Sequence, residues 1–77
     1  MEQTLRERFA HRLFEERQRR GISQERLAES AGLHRTYVGS LERSDANASL
    51  NTVEKLAIAL DVCPCTLICG PEGQQSG

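Results

Sequence analysis

The chain has 77 residues, 38% apolar and 27% charged, with a formal net charge of −1. That length holds one small domain whose core lies near the lower limit for independent stability, and it lacks pocket-building length and any nucleophile–base constellation for an enzyme. No run nears the ~18 apolar residues of a membrane span, and the charged start MEQTLRERF is unlike a secretory signal.

Periodicity predicts five short helices and no strand. Leu5, Phe9 and Leu13 recur at spacing four and set one stripe on a helix from about 4 to 20, which Gly21 can end in the left-handed conformation. Ser23 is a suitable N-cap for a second helix with Leu27, Ala28 and Ala31 inward. Gly32 interrupts, and a third helix runs from 33 or 34 to 43 with Leu33, Val38 and Leu41 inward. The run SDANA, 44–48, reads as a loop. Ser49 can cap a fourth helix whose stripe is Leu50, Val53, Leu56, Ala57 and Leu60. Pro64 suits the first turn of a fifth helix ending near Cys69, because its missing N–H is unpaired there in any case. The segment 70–77, GPEGQQSG, is expected to be a disordered tail, leaving residues 1–69 as the domain.

The second and third helices carry the functional signal. A small side chain at Ala28 and positive φ at Gly32 let the third helix cross closely over the second after a turn of three or four residues. This helix-turn-helix register, about 23–43, leaves one side of the third helix free to enter a DNA major groove. The residues on that side are Arg35, Thr36, Tyr37 and Ser40, with Arg43 at its end. Charge placement agrees: residues 1–43 carry nine arginines against seven glutamates, +2, whereas 44–77 carry one lysine against four acids, −3. Arginine's planar fork suits phosphates and guanine edges. A solvated, salt-bridged helical surface is the alternative reading of the same composition.

SQERLAESAGLHRTYVGSLER, 23–43, followed by NASLNTVEKLAIALDV, 47–62, resembles the lambda-repressor-like (Cro/CI, XRE-type) helix-turn-helix family over about residues 6–68. Within that family RTYVGSLER looks most like the small controllers of restriction–modification systems. This chain has Ala46 where those controllers often have a basic residue. The resemblance implies an all-α, five-helix DNA-binding domain and a cytoplasmic transcriptional regulator that binds a palindromic operator as a homodimer. An antitoxin-like module that neutralises a partner protein is the alternative.

By the same resemblance, Arg35, Thr36 and Ser40 fall where the family reads base edges, Arg35 as a bidentate guanine contact worth ~1–3 kcal/mol of discrimination. Gln24, Arg43 and Asn47 fall along the phosphate backbone. Tyr37 has two readings, a phosphate contact through its hydroxyl or a cover over the core edge. Glu42 aligns with a family glutamate that pairs with a first-helix arginine, here Arg17. Glu25 and Glu29 sit where some members touch RNA polymerase, and are otherwise solvated acids. Gly39 costs the third helix ~1 kcal/mol relative to alanine, which a close approach to DNA or to the second helix would justify; neutral tolerance is the other reading. Leu50, Val62, Leu67 and Ile68 are candidates for the dimer interface, which a lone unit with few base contacts needs. Cys63, Cys65 and Cys69 are an odd set suited to a reduced compartment. Cys63 takes the cap position before Pro64 and the other two are expected to be small buried hydrophobes, with a redox or zinc role as alternatives. No metal or cofactor is expected.

Overall fold

A computed structural model describes residues 3–69 of the chain, so the expected tail at 70–77 lies outside the described residues. Every regular element among the described residues is a helix: α1 Leu5–Arg20, α2 Gln24–Ala31, α3 Arg35–Glu42, α4 Leu50–Leu60 and α5 Pro64–Ile68. None is long and apolar enough to cross a membrane.

Local chemistry explains most of the boundaries. Thr4 and Glu7 form a reciprocal capping box: the Glu7 N–H donates to Thr4 Oγ1 (3.1 Å) and the Thr4 N–H to Glu7 Oε1 (2.9 Å). The Ser23 and Ser49 side chains accept from the N–H of Arg26 and Thr52. At the turn between α2 and α3, Gly32 takes φ 71°, and the Leu33 N–H donates to the Ala28 carbonyl at 2.8 Å. That closure redirects the chain without leaving the last carbonyls of α2 unpaired.

The start of α3 differs from the expectation by one or two residues. Leu33 and His34 precede the helix, and His34 is its N-cap, its Nδ1 accepting from the Thr36 N–H at 3.4 Å. The helix ends in the same way as α2 but with a serine at the left-handed position. Ser44 has φ 63°, its N–H donates to the Leu41 carbonyl, and the Asp45 N–H to the Ser40 carbonyl.

Leu13, Leu27, Val38, Leu41, Leu56, Leu60 and Leu67 form the fully buried centre of one core, with α1 packed against α3, α4 and α5, and α2 against α3 and α4. Each such side chain contributes about 1.5–3 kcal/mol of burial. Three expectations are corrected here. Leu5 is 61% exposed and Leu50 is 88% exposed, so the stripes of α1 and α4 begin one turn later, at Phe9 and Val53. Both leucines occupy the first helical position, ahead of the residues that their helices lay against the core. Leu67 has no exposed surface and is core, which removes it from the candidate dimer interface. Cys65 and Cys69 are exposed, not buried, whereas Cys63 holds the cap position of α5 as expected, without a side-chain cap bond.

Candidate nucleic-acid interface

The third helix is divided along its length. Val38 and Leu41 are buried, while Arg35 and Thr36 stand exposed and Tyr37 and Ser40 are half-buried at the margin. Arg35, Thr36, Gly39 and Arg43 share one side of α3 by their spacing. They face the start of α2 across a cleft lined also by Ser23 and Gln24. The first N–H groups of a helix have no partner within it, so the start of α2 adds donors to this side.

Beneath the cleft, a buried ion pair fixes the angle of α3 to α1. Arg17 Nε donates to Glu42 Oε2 at 2.6 Å and Arg17 Nη2 to Glu42 Oε1 at 3.0 Å, with the two side chains 10% and 4% exposed. Arg17 Nη1 also donates to the Ile22 carbonyl (2.8 Å), and the guanidinium lies 5.5 Å from the Phe14 ring centroid. Glu42 Oε1 accepts a further bond from Gln24 Nε2 at 2.9 Å. The side chain at the start of α2 is therefore tied to the pair below it.

The exposed cations are held more loosely. Arg35 Nη1 lies 3.9 Å from Glu25 Oε1, both side chains largely in solvent. Arg43 Nε donates to Asp45 Oδ2 at 3.1 Å and its Nη2 to Ser40 Oγ at 3.3 Å. Exposed pairs of this kind contribute about 0–1 kcal/mol, small beside the counterion release on meeting a phosphate. Both guanidiniums are free to exchange these acids for a polyanion.

Tyr37 braces the loop after α3. Its hydroxyl donates to the Asn47 carbonyl at 2.9 Å and lies 3.5 Å from Thr52 Oγ1 on α4. Asn47 is exposed, and its Oδ1 accepts from Arg6 Nη1 at 3.3 Å. Sequence reasoning missed Arg6, because a contact across 41 residues leaves no local pattern. Glu25 and Glu29 are exposed on α2.

Apart from this cleft, Leu50, Val53, Pro64, Cys65 and Ile68 line a mainly apolar groove between α4 and α5. Val62 is half-buried in the turn between α4 and α5. Cys65 lies on this groove, its thiol pushed up from the usual range by a hydrogen bond with Cys63 and then by the charges of the neighbouring thiols. Among the described residues, no three His, Cys, Asp or Glu side chains come together as metal donors.

Comparison with known proteins agrees with this geometry. Residues 13–67, well over half of the chain, match the helix-turn-helix family model. A control protein of Serratia marcescens, C.SmaI, is 58% identical over 40 residues, which are 52% of this chain and 48% of that protein. The matched stretch thus spans about half the length of that relative. The crystal structure of the restriction–modification controller C.AhdI from Aeromonas hydrophila superposes with a TM-score of 0.79 at 48% identity, covering 80% of this chain and 94% of that one. The controller C.Esp1396I, solved as a tetramer in complex with its natural 35 base-pair operator, gives 0.78 at 27% identity over 86% of this chain and 87% of that one.

Proposed function

The chain belongs to the helix-turn-helix family, and on that premise we propose that it is a cytoplasmic, sequence-specific transcriptional regulator that binds an approximately palindromic operator as a homodimer. The observation that carries this reading is the division of α3, whose apolar side is wholly buried while Arg35 and Thr36 project from the other. The likeness to a controller solved on its operator supports it. No catalytic role is assigned to any residue.

Arg35 takes the guanine contact, with Thr36 and Ser40 beside it on base edges. Gln24, Arg43 and Asn47 take the phosphate backbone, and Tyr37 holds Asn47 in place from below. The second subunit docks on the apolar groove of α4 and α5, where Leu50 and Ile68 are available, with Val62 half-buried in the turn between the two helices. A two-fold axis there doubles the base contacts and spaces half-sites about 34 Å apart. Where the dimer activates transcription, Glu25 and Glu29 are the acids offered to RNA polymerase.

A footprint on the promoter of its own gene tests the reading, followed by titrations over a salt series. Arg35→Ala relaxes specificity at one base pair per half-site, costing ~1–3 kcal/mol on the preferred sequence. Arg43→Ala weakens all duplexes alike and flattens the log–log salt slope by about 0.9 per lost phosphate contact and half-site. Both variants binding every duplex as the parent does would refute these assignments.

A further inference from the structure

Gly39 lies in the middle of α3 on the side turned toward the proposed DNA, yet it is buried. What covers it are two side-chain tips. A Cβ built on Gly39 would meet Gln24 Oε1 and Arg43 Nη1, each at 3.3 Å, closer than ordinary carbon contacts. The two tips differ in their freedom to move. Arg43 is exposed and held by Ser40 and Asp45 at the surface, so it can swing aside. Gln24 is tethered by its bond to Glu42 Oε1, and Glu42 is itself fixed by the buried bidentate pair with Arg17, so the carboxamide can yield only by a few tenths of an ångström, turning off its set direction while keeping that bond.

From this arrangement we infer that Gly39 is a positioning residue for DNA binding: its bare Cα is the seat on which the Gln24 carboxamide lies, locked between α3 and the Arg17–Glu42 pair. The amide orientation follows. Nε2 is turned down to Glu42 and Oε1 lies over Gly39, which leaves the second Nε2 proton as the group's remaining donor. The glycine thus accepts a helix-propensity penalty in exchange for a preset donor at the start of α2. An alanine at 39 improves the helix and displaces the donor, so stability and affinity move in opposite directions. A glycine tolerated for no reason gives a gain in stability with no loss of affinity.

The inference rests on the DNA-binding reading, and the test separates the two. The probe is the duplex that the parent protein enriches from a randomised pool, read by fluorescence anisotropy; enrichment of none overturns the DNA-binding reading itself. With the probe in hand, Gly39→Ala is expected to bind about tenfold more weakly, the order of one hydrogen bond to a charged group. Its Tm is expected to stay equal or rise. Gln24→Ala loses a similar factor, and adding Gly39→Ala to it costs less than about twofold more, because the group to be displaced is already gone. In the free protein the Gln24 side-chain amide resonances shift in Gly39→Ala and exchange faster with solvent. Unchanged amide resonances, binding within twofold of the parent, a fall in Tm, or full multiplication of the two losses would each overturn the inference.

Discussion

Replacing Glu42 by leucine is the sharpest probe of what holds α1 to α3. The substitution keeps volume but leaves the Arg17 guanidinium, 10% exposed, facing an apolar group. Arg17 retains its bond to the Ile22 carbonyl and its place near the Phe14 ring, while both bonds to the carboxylate vanish and Gln24 loses its acceptor. Breaking a buried pair from one side costs about 3–5 kcal/mol. A chain of this length has roughly 4–12 kcal/mol of total stability, so the loss is a large share of it. At about 4–8 °C per kcal/mol for a domain of this size, Tm should fall by at least about 12 °C. Urea unfolding followed by circular dichroism reads the free energy directly. The double variant Arg17→Met/Glu42→Leu removes both charges and should recover to within about 1 kcal/mol of the parent, since the desolvation cost disappears with the pair. A loss under 1 kcal/mol in the single variant, or a double variant no better than the single, would refute the reasoning.

Other expectations concern the ends of α3, the core and the thiols. Ser44→Gly relieves a left-handed serine at φ 63° and should raise stability by about 0.5–1 kcal/mol in the same unfolding assay. Leu67→Ala should cost about 2–5 kcal/mol, as a fully buried leucine does. Leu50→Ala should leave stability within about 0.5 kcal/mol at concentrations where subunits are apart, yet raise the dimer dissociation constant measured by sedimentation. Cys65, its thiol held above the usual range by Cys63, should react with iodoacetamide at neutral pH more slowly than free cysteine, and Cys63→Ala should speed it. Mass mapping of the labelled chain measures both rates.

The element order was legible because its determinants are local. A capping serine before an apolar stripe, a glycine able to take positive φ, and a proline at a first turn act within a few residues of the boundary they set. The misreadings share a different character. Leu5 and Leu50 carry the right periodicity, but whether a first-turn leucine is covered depends on where its helix meets a neighbour. Leu67 and Ile68 are adjacent and equally apolar, and only the packing of α5 on α1 buries the first and leaves the second half-exposed. The capping bond of His34 closes over two residues, yet it needed the turn geometry to be found. At the candidate interface, the family resemblance marked Gln24, Arg35 and Arg43, while the Arg6–Asn47 bond and the bracing role of Tyr37 join segments remote in the chain.

Periodicity, caps and turn residues were thus sufficient, in the sequence alone, to determine five helices, their order and the polar side of the third. Which leucines form the core, which side chain lies over Gly39, and how the Arg17–Glu42 pair reaches Gln24 were decided only when the helices packed. The physical reason is range: hydrogen-bonded turns are closed by neighbours in sequence, whereas burial and ion pairing are settled by surfaces that meet only in the folded chain.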